Sequence, residues 1–278
     1  MFNFNLIKNL KKKFFPFYKN KDLQFVFKKL QEGYQGQPKK AMFVGGCVRK
    51  HLLNEDIDDI DIATSLTTDQ VKEKFKDTKY KVIDSGIKHG TVTLVLKKLK
   101  LELTTLRKDV KTDGRHAEIE YTDDWQEDSN RRDFTINAIY LDSDGKIFDP
   151  QLGIHDLKNG IVKFIGDPQK RIEEDYLRII RFIRFSLLYK NEIEKKIIET
   201  IKLNLNGIKK ISKERILIEL FKILNTKNFE KLNNNKPLKE IFLLIFPEFK
   251  YFERLNKLNE IKSSNIFDKR ILLSILLI

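Results

Sequence analysis

The chain has 278 residues, 41% hydrophobic and 34% charged, with 21 Phe against 12 Gly and 6 Pro, which excludes collagen-like, linker-like and wholly disordered chains. One cysteine, Cys47, excludes an internal disulfide and a cysteine-based zinc finger, and fits a reducing, cytoplasmic compartment. Lys and Arg number 54 against 40 Asp and Glu; the formal charge of +14 suits a polyanionic partner, although compositional drift in a Lys- and Asn-rich chain produces the same surplus.

Residues 1–20 carry five lysines and no acid, but neither an arginine nor a small-residue cleavage site, so residues 1–40 read as a basic helical segment rather than a targeting peptide. No apolar run approaches the roughly 20 residues of a membrane-spanning helix, and no membrane partner is expected. Between residues 41 and 165, runs rich in Val, Ile, Thr and Phe predict strands at Ala41–Val44, 60–63, Thr91–Leu96, 101–106, 135–141 and 161–165, with a helix at Thr68–Phe75. After Gly166-Asp167-Pro168, Leu, Ile and Phe recur at helical spacing between Lys and Glu. The predicted architecture is an α/β head over residues 41–167, an all-helical neck over 168–230 and a short helical body over 231–278.

The densest chemical signal is Glu55-Asp56-Ile57-Asp58-Asp59-Ile60-Asp61, five carboxylates in seven residues of a basic chain. On a strand, side chains alternate, so Asp59 and Asp61 share one face while Ile60 and Ile62 enter the core. Paired carboxylates repel unless a cation sits between them, and a hard divalent ion such as Mg²⁺ prefers these oxygens while leaving positions open for phosphates. A bare Asp-x-Asp is also compatible with a solvated acidic turn. Just upstream, Val44-Gly45-Gly46-Cys47-Val48-Arg49 ends a short strand with two glycines, whose backbone N–H groups can approach a phosphate beside the Arg49 charge. The combination describes phosphoryl or nucleotidyl transfer.

Glu102, on a predicted hairpin, offers a third carboxylate that could face the aspartates, complete a two-metal arrangement or act as a base; an ordinary edge-strand Glu is the alternative. In Arg131-Arg132-Asp133-Phe134-Thr135-Ile136-Asn137, Arg132 suits a triphosphate, Asp133 could orient it, and Asn137 could position sugar or backbone. Asp175, Arg178, Arg181 and Arg184 recur every three residues, as neighbours along a predicted helix. An Asp followed by three arginines among Leu, Ile and Phe is costly unless they meet an anionic ligand or one another, and a surface salt-bridge ladder is the alternative. Asp and Arg also carry the acceptor and donor edges that read bases.

Together VGGCVR, DIDIAT, HGTVTL…ELTTLR, RRDFTINAIYLD and RIEEDYLRIIRFIRF, in this order, resemble the superfamily of class II tRNA nucleotidyltransferases and bacterial poly(A) polymerases. Residues 109–118 are similar to the flexible loop of CCA-adding enzymes of the alphaproteobacterial and mitochondrial type; Asp109, Asp113, Gly114 and Arg115 fall within it. The resemblance implies a nucleotidyltransferase head with a mixed β-sheet. It implies template-independent, Mg²⁺-dependent addition of C and A to a tRNA 3′ end from CTP and ATP, with A-adding or poly(A) activity as the alternative. A non-catalytic RNA-binding protein with a degenerate head is a further alternative. Carried over by residue, Asp59 and Asp61 would hold the metal, supported by Glu102, and Gly46, Arg49 and Arg132 the triphosphate. Asp175 and Arg178 would form an amino-acid template for the base, with Arg181 and Arg184 touching phosphate or sugar nearby. Two features depart from the pattern. Lys50 stands where the family usually has Asp, and the apolar run at residues 272–278 reads as mid-helix where family members commonly continue.

Overall fold

A computed structural model describes residues 16–86, 90–97, 99–112, 117–189, 193–226, 229 and 231–249. Two compact units emerge, the first within Met1–Lys111 and Glu118–Leu157, the second containing Lys158–Ile278.

The first unit begins with helix α1 (Lys21–Gln31), whose Asn20 side chain accepts from the Asp22 and Leu23 amides and so satisfies first-turn N–H groups. Leu23, Val26, Phe27 and Leu30 recur at helical spacing and are buried. Then come β1 (Ala41–Val44), α2 (Gly46–Leu52), β2 (Ile60–Thr64), α3 (Thr68–Phe75), β3 (Lys81–Gly86), β4 (Thr91–Leu96) and β5 (Leu99–Thr105). A Thr67/Gln70 capping box starts α3. Beyond lie β6 (Arg107–Thr112), β7 (Ala117–Tyr121), α4 (Trp125–Asn130), β8 (Tyr140–Leu141), β9 (Ile147–Phe148) and α5 (Gly153–Lys158).

Seven strands form one sheet in the order β3-β4-β5-β2-β1-β8-β9, while β6 and β7 pair separately. Strands β2 and β5 run parallel; β1 and β4, on their other sides, pair with them antiparallel, so the sheet is mixed. Along β5 the alternation is clean: Leu101 and Leu103 are buried, whereas Lys100 and Glu102 are exposed.

The second unit is helical: α6 (Pro168–Glu174), α7 (Leu177–Leu188), α8 (Lys195–Asn204), α9 (Lys213–Leu224), α10 (Lys231–Asn234) and α11 (Lys236–Ile245). In α7, Ile179, Ile180, Phe182, Ile183 and Phe185 are buried, and Phe182 stacks on Phe164 with ring centroids 5.6 Å apart. Among the described residues no helix is long and apolar enough to cross a membrane.

Three sequence expectations are corrected. Residues 135–141 are not one strand: Thr135–Asn137 forms a 3₁₀ turn, and only Tyr140–Leu141 joins the sheet. The cause is local, because Asp133 Oδ1 accepts from both the Phe134 amide and Asn137 Nδ2, offering the chain a turn in place of a ladder. Residues 161–165 carry only an isolated bridge at Phe164, which is buried against Phe182. Finally, no single helix runs through the Asp175–Arg184 repeat. Asp175 has extended backbone (φ −156°, ψ 102°) at the end of α6, and its Oδ1 accepts from the Leu177 amide at the start of α7.

Candidate active site

Strand β1 ends at Gly45, whose φ of +73° and ψ of −125° favour glycine. A Cβ there would stand 3.6 Å from Asp61 Oδ2, so the turn passes directly under the carboxylate. A Cβ on Gly46 would meet nothing within 4 Å. Pairing carries Asp61 to the same place from two sides, opposite Val44 of β1 and Glu102 of β5. Asp59 is exposed just before β2, and Ile62 on the opposite face is buried, whereas Ile60 is only partly so.

Electrostatics report the convergence. Burial pushes the Asp61 carboxyl above its ordinary range, the nearby Glu102 and Asp59 charges push it further, and Arg132 and Arg49 oppose the shift. Three carboxylates and two guanidiniums therefore share one end of the sheet. Among the described residues no three acidic, His or Cys side chains converge tightly enough to form a ready-made metal cage. The oxygen-only donor set, repelling itself beside Asp61, nevertheless fits a hard divalent cation.

Arg49, on α2, donates to Asn137 Oδ1, and Asn137 Nδ2 donates to Asp133 Oδ1 over 2.7 Å. The sequence expectation gave Asp133 the task of orienting Arg132; its Oδ1 accepts from the Phe134 amide and Asn137 Nδ2, and so braces Asn137 and, through it, Arg49. What holds Arg132 is Asp128, on α4, together with Tyr140, on β8. Its Nε and Nη2 donate to Asp128 Oδ2 over 3.1 and 2.9 Å, and Tyr140 Oη donates to the same oxygen over 2.7 Å. Arg131 Nε donates to Oδ1 over 2.8 Å. Burial raises the Asp128 carboxyl, but Arg132, Arg131 and the Tyr140 hydroxyl outweigh it and hold the group well below the usual carboxylate range. Sequence reading passed over Asp128 and Tyr140, although Asp128 at i−3 and i−4 from two arginines is a helical ion-pair spacing.

Lys50 pairs with Asp58, whose Oδ1 also accepts from the Asp59 amide over 2.9 Å, so the lysine braces the turn that presents Asp59. Cys47 is buried with its thiol toward the Val44 and Asp61 carbonyls, and burial pushes it up to about 11, which removes it from nucleophilic chemistry.

The second group of predicted residues lies in the helical unit. Arg178 is buried and Nη1 donates to the Arg171 carbonyl over 2.7 Å and to Glu174 Oε2 over 2.5 Å. Arg184 Nε donates to Glu219 Oε2 over 2.7 Å, and Arg181 lies 3.6 Å from Oε1 of the same side chain. Glu219, on α9, is buried; burial raises its carboxyl, but Arg184, Arg181 and Lys222 lower it further. Arg181 and Arg184 thus share Glu219, a residue the sequence reading did not select. Asp109 falls within β6, while Asp113, Gly114 and Arg115 lie outside the described residues.

A mixed sheet bearing paired carboxylates beside a Gly-Gly turn defines a nucleotidyltransferase head. The profile of the "Poly A polymerase head domain" matches residues 41–163, and that of the "Probable RNA and SrmB- binding site of polymerase A" matches 192–252. The human mitochondrial CCA tRNA nucleotidyltransferase 1 is 45% identical over 204 residues, covering 71% of this chain and 46% of the relative. The CCA-adding enzyme of Staphylococcus aureus (strain Newman) is 36% identical, covering 85% and 57%. The crystal structure of the Bacillus stearothermophilus CCA-adding enzyme in complex with CTP superposes with a TM-score of 0.62 at 37% identity, over 72% of this chain and 47% of that one. This chain therefore belongs to the superfamily of tRNA nucleotidyltransferases and bacterial poly(A) polymerases, and it spans about half the length of the curated relatives it matches.

Proposed function

We propose that this chain adds C and A nucleotides to the 3′ end of tRNA from CTP and ATP, with Mg²⁺ and without a nucleic-acid template. The observation that carries the reading is the convergence of Asp59, Asp61 and Glu102 with Arg49 and Arg132 beside the Gly45–Gly46 turn. In the reaction the tRNA 3′-hydroxyl attacks the α-phosphate and pyrophosphate leaves. Asp59 and Asp61 would hold the ion, with Glu102 in support; when bound, the ion neutralises phosphate charge and lowers the pKa of the attacking hydroxyl. Gly46, Arg49 and Arg132 receive the triphosphate, with Asn137 and Asp133 keeping Arg49 extended and Asp128 keeping Arg132 in place. Residues 41–167 serve as catalytic head, 168–230 as the neck that reads the base, and 231–278 as body, following the basic segment at 1–40. Residues 109–118 act as the loop that switches from C to A. Arg181 and Arg184, tied to Glu219, stiffen the neck and reach phosphate or sugar only secondarily. The cell's cytoplasm is the proposed compartment.

In the neck, Asp175 and Arg178 pair with the incoming base as acceptor and donor. Losing one leaves polar groups unpaired, at about 1–3 kcal/mol, so Arg178→Ala should blur nucleotide choice by about 5- to 150-fold. The rate with an accepted nucleotide should fall less. Separate incorporation assays with CTP, ATP, UTP and GTP check this; a uniform rate loss with preferences intact would make Arg178 a structural ion pair only.

A second reading is addition of A alone, by an A-adding enzyme or by a poly(A) polymerase, for which the matched head profile is named. Offering tRNAs with each partial 3′ end to CTP and ATP separately distinguishes them. An A-adding enzyme ignores CTP, a poly(A) polymerase builds long A tails, and a CCA-adding enzyme stops after the missing residues.

A further inference from the structure

Between α2, which carries Gly46 and Arg49, and β2, which carries Asp61, the chain runs through residues 53–59. Helix α2 ends in a left-handed Asn54 (φ +57°); the Asn54 amide donates to the His51 carbonyl over 3.1 Å and the Glu55 amide to the Lys50 carbonyl over 2.8 Å. These two bonds make a Schellman turn, which reverses the chain. Three residues further on, the Lys50 ammonium meets the Asp58 carboxylate. One residue therefore holds the connecting loop at both ends, by its carbonyl at Glu55 and by its side chain at Asp58. Asp58 Oδ1 in turn accepts from the Asp59 amide over 2.9 Å. The Lys50 and Asp58 side chains are 32% and 69% exposed, and an ion pair that open to water adds little to stability. Its consequence is geometric: Asp59 precedes β2, where the strand register that fixes Asp61 opposite Glu102 has not begun.

Resting on the metal-binding reading of Asp59 and Asp61 above, we propose that Lys50 is a positioning residue for the cation: paired with Asp58, it sets Asp59 beside Asp61, and the two charges act as a unit whose signs are interchangeable. The departure from the family's usual Asp at position 50 then has its counterpart in Asp58. Lys50 acts on a bound cation in two opposite senses. Its charge repels a divalent ion, so through charge alone its removal would tighten binding. Its hold on Asp58 keeps a ligand-bearing turn in place, and outer partners that orient metal ligands are worth about 10- to 100-fold in affinity. For a positioning lysine the second effect exceeds the first.

The test titrates the full chain with Mn²⁺, standing in for Mg²⁺, and follows the free ion by electron paramagnetic resonance, so that no turnover is needed. Lys50→Ala should raise the Kd for Mn²⁺ by about 10-fold. Its melting temperature should stay within about 2 °C of wild type. Asp58→Ala should weaken binding as well, and Lys50→Asp combined with Asp58→Lys should restore it to within about 3-fold of wild type. The Mg²⁺ concentration giving half-maximal nucleotide addition should move in parallel, with kcat at saturating Mg²⁺ changing less. Lys50→Gln repeats the comparison should the alanine variant fold poorly. A Kd that is unchanged or tighter without Lys50 would overturn the proposal, as would an exchanged pair that binds no better than the single variants. A wild-type chain that leaves all the Mn²⁺ free would overturn the metal assignment itself, a different result from variants that bind as wild type does.

Discussion

Replacing Asp61 with asparagine should lower nucleotide addition by about 10³-fold or more, since losing a carboxylate proposed to hold the metal would remove several kcal/mol of transition-state stabilisation. The same change should raise thermal stability in metal-free buffer. Folding buries the Asp61 carboxyl beside Glu102 and Asp59 and lifts its pKa above the unfolded value, so the ionised group opposes folding at neutral pH. Below the unfolded value of about 3.9 the group is protonated in both states and the penalty disappears. The stability gain of Asp61→Asn should accordingly be present near pH 7 and fade as the pH falls toward 4. Asp59→Ala should be as inactive, and near-normal rates in either variant with Mg²⁺ present would remove the metal assignment.

Asp128→Ala should be the most destabilising single change in the head. The Asp128 side chain is fully buried and accepts from Arg131, Arg132 and Tyr140 at once, so its loss removes the carboxylate that two guanidiniums and a hydroxyl share. Breaking a buried pair from one side costs about 3–5 kcal/mol, or roughly 10 °C in a unit of this size. The folded-state pKa is depressed, so this stability is fully present above the unfolded pKa and is lost only as the pH falls through the folded one. The gap between wild type and variant should be constant from about pH 5 to 8 and should close only in strong acid. Urea titrations at several pH values test this; a gap under about 1 kcal/mol at pH 7 would mean that Arg132 is anchored elsewhere. Addition should also slow in the variant, because Arg132, proposed to receive the triphosphate, loses its brace.

Elements whose signal is local were legible in the sequence. The alternation of Thr91–Leu96 and the amphipathic Thr68–Phe75 declare themselves in a few residues, and both form as expected. Strand β3 is mostly exposed at the sheet edge, so it carries no alternating apolar signature and is silent in the sequence. Residues 135–141 have strand composition, yet the Asp133 side chain captures the Phe134 amide and Asn137 and bends the backbone. At Asp175 the three-residue spacing imitates one helix, although the chain turns extended there and the side chain accepts from the Leu177 amide.

In the candidate site, Asp59, Asp61, Glu102, Arg49 and Arg132 were legible as chemistry, and their meeting depends on the register Asp61↔Glu102, which spacing alone does not give. The residues that hold them in place were least visible. Arg215 lies 40 residues from Asp175 and Glu219 lies 35 from Arg184, and only the folded chain brings them together. Asp128 stands four residues from Arg132, but its weight comes from its burial and from the hydroxyl of Tyr140, which the sequence does not reveal.

The most direct measurement is the mass of a tRNA transcript lacking its CCA end after incubation with this chain, CTP, ATP and Mg²⁺. The account predicts a product heavier by two cytidylates and one adenylate, formed by wild type and absent with Asp61→Asn. A transcript of unchanged mass with the folded wild-type chain, under every combination of nucleotide and divalent ion, would contradict it.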